Sequence, residues 1–112
     1  MKGFTTVLAI AIAVPTQVLA GYYVGKIQQM EFGPLYGDIV YVALPQASVN
    51  KPGCVTNPNG YYFAFDSGTK IGEKLFSTLL AAQRSGADVS ISGSGTCNLI
   101  GEVEDIRWIQ SL

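Results

Sequence analysis

The strongest helical spacing of apolar residues lies between Ser67 and Ser92, in the run S-G-T-K-I-G-E-K-L-F-S-T-L-L-A-A-Q-R-S-G-A-D-V-S-I-S. On a helical wheel Ile71, Leu75, Leu79 and Ala82 share one face, and Gly72, Phe76 and Leu80 widen it. Lys70, Glu73, Lys74, Ser77 and Arg84 fall opposite. So wide an apolar arc predicts a helix buried against more than one neighbour, as across a curved sheet or at a barrel end. Asp66, Ser67 and Thr69 can each cap its start by accepting from a free first-turn N–H. Gly86 is the expected stop, since glycine takes the left-handed conformation that ends a helix, and Arg84 suits the negative end of the dipole. Beyond it Val89 and Ile91 alternate with Asp88, Ser90 and Ser92, which predicts a half-buried strand.

The remaining chain reads as strands and turns. Tyr22 to Phe32 forms a first strand whose apolar positions change parity, which a bulge near Gln28 and Gln29 reconciles. Gly33-Pro34 ends it. Gly37 to Leu44 is apolar on both faces, which predicts a central strand or a face held for a partner chain. Pro45 to Gly60 is a long connection of turn formers, and Tyr61 to Phe65 is the third strand. Gly93 to Asn98 connects the fourth strand to the last, Leu99 to Gln110, which is interrupted near Glu104 and Asp105. Three strands, a helix and two strands define a mainly β (α+β) fold. The order βββαββ without parallel crossover units predicts antiparallel pairing in a five-stranded OB-fold-like barrel.

Residues 1–20 stand apart. Lys2 precedes an apolar run from Phe4 to Val14, and Val18-Leu19-Ala20 places compact residues at −3 and −1 before Gly21. This is the pattern of a secretory signal peptide cut after Ala20. The run is shorter than the roughly 20 apolar residues that a membrane helix needs. The expected mature domain is 21–112, periplasmic or secreted, with no membrane span after cleavage. Cys54 and Cys97 are the only cysteines, so export predicts a disulfide. In the chain-entropy account a loop of that length contributes roughly 4 kcal/mol.

Charge and composition narrow the chemistry. After residue 20 Lys26, Lys51, Lys70, Lys74, Arg84 and Arg107 face eight acids, with no basic stripe, so nucleic acid is not an expected partner. The chain has no histidine, which removes the commonest metal ligand and general base. No metal, no cofactor and no enzymatic activity are expected. Glu102, Glu104 and Asp105 form the one acidic cluster, and a glycosidase would want two carboxylates across a cleft. The weightier reading is a solvated strand edge with one carboxylate paired to Arg107. Gly93-x-Gly95 looks like a phosphate loop but precedes no helix, so it reads as a turn leading to Cys97. Aromatic residues are abundant, and a sugar site would stack one against C–H groups with amides on the hydroxyls. Tyr36, Tyr62, Trp108, Asn57, Asn59 and Asn98 are the candidate set, whereas Tyr41, Phe63 and Phe65 are expected to fill the core.

The run F-S-T-L-L-A-A-Q-R-S-G-A-D-V-S-I (Phe76 to Ile91) resembles the subtilase cytotoxin group of bacterial AB5 toxin B subunits, as does the strand order. The G-x-G-x-C turn from Gly93 to Cys97 also resembles that of small exported proteins of Gram-negative bacteria. The resemblance implies a non-enzymatic glycan-binding module that assembles as a pentamer. None of the toxin subunits' sugar-contacting residues aligns to a position here. The alternative expectation is a periplasmic accessory or inhibitor protein that presents the 45–60 loop to another protein.

Overall fold

In the computed structural model, residues 19–112 are described, and they form six strands and one α-helix. In chain order these are β1 (Tyr22–Gly25), β2 (Gln29–Glu31), β3 (Ile39–Ala43), β4 (Tyr61–Asp66), α1 (Lys70–Ser85), β5 (Val89–Gly93) and β6 (Glu104–Ser111). The body of the expected signal peptide, residues 1–18, lies outside the described residues.

The helix forms where the spacing puts it. Thr69 is the N-cap, its hydroxyl accepting from the Gly72 N–H at 2.9 Å. Gly86 closes the helix in the left-handed conformation at φ 73°, its N–H donating to the Ala82 carbonyl. Gly72, Leu79 and Ala82 are buried, while Leu75 and Phe76 are half-buried against the core. Gly72 is needed for close approach, because a Cβ there would collide with the Asp66 carbonyl at the end of β4. Ile71 departs from the expected burial: it is 64% exposed.

The predicted five-stranded barrel order is corrected by the pairing. The sheet is six-stranded, mixed and not closed, in the order β1-β5-β6-β4-β3-β2. The expected first strand is the source of the difference. It breaks after Gly25, at φ 152°, where a side chain is strained. Its two halves then form opposite edges of the sheet, β1 on β5 and β2 on β3, with no ladder between them. Lys26 is drawn to the helix end by the Gly86 carbonyl and by Asp88 at 3.2 Å, and the Gln28 N–H donates to the Ala43 carbonyl at 3.0 Å. The chain therefore leaves one edge and joins the other within three residues. The β4–β6 pair is parallel, against the expected antiparallel order.

Two core clusters lie on the two faces of the sheet. Val40, Val42, Leu44, Phe63, Phe65, Val89 and Ile91 pack with Leu79 and Ala82 of the helix. Ala43, Tyr61, Ala64 and Val103 form the second cluster, with Ile39, Tyr41 and Ile100 against it. The two-sided apolarity of Gly37–Leu44 is thus consumed inside the chain, by a strand flanked on both sides. Cys54 and Cys97 are disulfide-bonded, with Cα atoms 6.1 Å apart. The bond ties the long connection to the turn before β6.

Candidate functional site

A register shift decides which tyrosines reach the second face of the sheet. β3 and β4 pair Val42 with Phe63 and then Ala43 with Tyr61, so Tyr62 is an extra residue on β4. Such a bulge re-aims the side chains beside it. Tyr62 packs with Phe63 against the helix-side core, while Tyr61 turns to the second face, beside Tyr41 and Ala64. On that face Tyr36, at the end of a single 3-10 turn (Pro34–Tyr36), meets Tyr41 edge-on at 5.0 Å. Tyr41 in turn meets Tyr61 edge-on at 5.7 Å. Edge-to-face geometry is the favoured contact between aromatic quadrupoles.

These rings line a recess of about 260 Å³ that also includes Glu31, Asn57, Asn59 and Glu102. Its polar groups are wired together. The Tyr36 hydroxyl donates to Glu31 Oε2 at 2.8 Å, and the Tyr61 hydroxyl lies 3.4 Å from Glu31 Oε1 while accepting from Gln29 Nε2 at 2.9 Å. Asn57 donates its amide to Glu102 Oε1 at 2.9 Å and accepts from the Asn59 N–H at 2.8 Å. The Glu102 carbonyl accepts from the Thr56 and Asn57 N–H groups, which fastens the end of the long connection to this wall. The Glu31 hydrogen bond raises the Tyr36 pKa, and burial raises those of Tyr41 and Tyr61. All three phenols therefore stay neutral donors across the physiological range.

Tyr36, Asn57 and Asn59 of the candidate set converge in this recess; the other three lie elsewhere. Tyr62 is packed against the core. Asn98 is exposed in the disulfide turn, donating its N–H to Asp105 Oδ2 at 3.0 Å and its amide to Thr96 Oγ1 at 3.4 Å. Trp108, 48% exposed, belongs to a separate groove of about 350 Å³ with Ile71, Lys74, Leu75, Arg107 and Ile109. Glu31, Tyr41 and Tyr61 were not in the set. The doublet Tyr61-Tyr62 gives no sign of which ring reaches the recess until the bulge is known.

The acidic cluster is not a solvated strand edge. Glu104 is 0% exposed. Its Oε2 accepts from the Gly21 N–H at 3.0 Å and the Gly95 N–H at 2.7 Å, whereas Oε1 has no partner. Desolvation raises its pKa, two backbone N–H groups oppose that rise, and Asp105 adds to it. Asp105 accepts from the Asn98 and Leu99 N–H groups and from Thr96 Oγ1, so it organises the 96–99 turn instead of pairing with Arg107. The one ion pair among the described residues is Lys26–Asp88. Among these residues no three His, Cys, Asp or Glu side chains cluster as metal ligands, and no helix is long and apolar enough to cross a membrane.

Comparison of the chain with protein-family models, with curated proteins and with solved structures finds no match.

Proposed function

We propose that this protein is an exported, non-enzymatic carbohydrate-binding protein whose ligand sits in the recess of Tyr36, Tyr41 and Tyr61. One observation carries the reading: three tyrosines packed in series share a concave site with the Asn57 and Asn59 amides and two carboxylates. Ring faces suit the C–H patches of a pyranose, and amides and carboxylates suit its hydroxyls. The pentameric assembly that the toxin-subunit resemblance implies belongs to the same reading, and the solution mass tests it. The reading takes no ring contact from the Gly37–Leu44 strand, most of which packs within the chain.

A glycan array probed with the oxidised protein tests the binding, followed by titration of the best sugar into Tyr36→Ala and Tyr41→Ala. Affinity should fall at least about tenfold in each, since a lost stacking face and hydroxyl together exceed 1.4 kcal/mol. A blank array, or binding that survives both substitutions, would sink the proposal. Turnover of chromogenic glycosides that disappears in Glu31→Gln or Glu102→Gln would replace it with a hydrolase.

The second reading is a protein partner engaged by the 45–60 loop. Pro45, Gln46 and Ala47 are exposed, while Cys54 and the Val49–Tyr22 backbone bonds hold the loop's base. Shortening 45–47 would abolish capture of such a partner and leave sugar binding intact.

A further inference from the structure

The recess leaves the most unusual group of the molecule unused. Glu104 is a carboxylate with no solvent exposure, no cation in range and one oxygen without a partner. Such a group is costly unless something satisfies it. Two glycines are shaped around it, because a Cβ at Gly93 or at Gly21 would run into the carboxylate. Ser48 Oγ, also buried and unpartnered, lies near the same place on Gly21. The Gly21 nitrogen is already 3.0 Å from Oε2. That nitrogen is also the one that the expected cut after Ala20 would free.

We propose that cleavage of the Ala20–Gly21 bond creates a buried α-ammonium at Gly21 that pairs with the Glu104 carboxylate and locks the processed chain. The proposal takes its cut from the export reading and its effect from the geometry alone. A peptidase selecting small residues at −3 and −1 adds water across the bond. The hydroxyl goes to the Ala20 carbonyl and a hydrogen to the Gly21 nitrogen. The new carboxyl group's proton then completes the ammonium. Before the cut this nitrogen offers one N–H, which Oε2 takes. Afterwards it offers three, enough for Oε2, the orphaned Oε1 and Ser48 Oγ. The backbone on either side is fixed: the Gly21 carbonyl accepts from the Gly93 N–H at 2.8 Å, and Tyr22 exchanges two backbone hydrogen bonds with Val49 at 3.0 and 2.8 Å. The ammonium is therefore positioned with little further ordering. Gly21 is buried while Leu19 is exposed, so the cut precedes folding and the fold then encloses its product.

The charges around the pair are few. β6 contributes Glu104 and Asp105, the turn after β5 contributes the Gly95 N–H, and the 45–50 connection contributes the Ser48 hydroxyl. The carboxylate beside it favours the charged amine and so raises the amine's pKa in the folded protein. Stability from the pair is then complete below the unfolded amine value of about 8 and is lost as pH rises through the folded value.

The test carries the full chain through a Gram-negative export pathway, identifies the first residue by mass spectrometry, and measures Tm from pH 6 to 11. Alongside runs the same chain with one serine inserted between Ala20 and Gly21, so that the same cut leaves an amide at Gly21. The exposed exit at Leu19 accommodates the insertion. The processed protein should start at Gly21 and melt at least about 5 °C above the serine form near neutral pH. That gap should close toward high pH, and Glu104→Gln should remove it. A chain that keeps its first twenty residues would overturn the export reading, and a cut at any other position would overturn the lock. A first residue of Gly21 with equal melting temperatures at every pH would overturn the lock and leave the export reading standing. Should Glu104→Gln fail to fold, the high-pH convergence of the two forms decides.

Discussion

Glu102 and Glu104 are two residues apart, and the fold gives them opposite lives. Glu102 lies in the turn before β6, half-exposed on the wall of the tyrosine recess, with the Asn57 amide as its partner. Glu104 begins β6, sealed from solvent, with backbone N–H groups as its partners. The difference comes from what stands opposite. Around Glu102 are the side chains of Asn57, Asn59 and Tyr41, at the wall of an open recess. Around Glu104 are glycines, whose missing side chains make a space that the carboxylate fills, with Ser48 Oγ beside it. One carboxylate borders solvent in the recess and the other is structural. Spacing along the strand does not distinguish them, and the packing does.

The hardest way to break this comparison is Glu104→Ala. It leaves the Gly21 and Gly95 N–H groups buried without an acceptor and opens a cavity, and each orphaned donor costs about 1–3 kcal/mol. A loss of about 4–5 kcal/mol in chemical denaturation is expected, close to the whole stability of a small domain. If the loss is under about 1 kcal/mol, the glutamate is not the structural group described. The pH dependence sharpens the point. In a chain that keeps an amide at Gly21, the Glu104 pKa is raised in the folded state. Its contribution is then complete below the unfolded glutamate value of about 4.3 and is lost as pH rises through the folded value. Glu104→Gln should flatten that slope in the amide form, and an unchanged slope would assign it to other groups.

Reduction of Cys54–Cys97 comes next. The closed loop spans a sequence separation of 43, for which the entropy account gives about 4 kcal/mol. The bond joins the connection that carries Asn57 and Asn59 to the turn that Asp105 organises. Reduction should therefore lower the melting temperature and weaken sugar binding together, by calorimetry with and without reductant. Retained affinity after full reduction would separate the recess from the disulfide.

The sequence carried the helix and its caps because the signals there are local: Thr69, Gly86 and the spacing between them need no partner to be read. The disulfide was legible from the cysteine count and the export pattern. The sheet order was not, since it depends on where one run of Tyr22–Phe32 breaks. A glycine conformation and two lysine contacts near the helix end set that break. Tyr61 was missed for a similar reason, because its direction is set by a pairing shift with a strand about twenty residues away in sequence. Glu104 was the hardest to see. A glutamate next to an aspartate reads as solvated, and the clue lay in Gly93 and Gly95, which read by themselves as an ordinary turn.

The smallest expected effect tests whether the recess is a site at all. Asn57 and Asn98 are alike in type and in stability role: each holds a turn by its side chain or N–H, and each contacts a carboxylate-centred network. Truncating either to alanine should cost about 1 kcal/mol or less, the net value of an exposed or half-exposed hydrogen bond. They differ in place, because Asn57 lines the recess and Asn98 stands in the disulfide turn outside it. Asn57→Ala also frees the Glu102 carboxylate from its amide, so a sugar loses one donor and meets a reoriented acceptor. Its affinity should fall about fivefold, which is about 1 kcal/mol. Asn98→Ala should leave affinity unchanged at the same loss of stability. Equal affinity losses in the two variants would mean that binding follows overall stability, and the recess would then be only the place where the second core meets solvent.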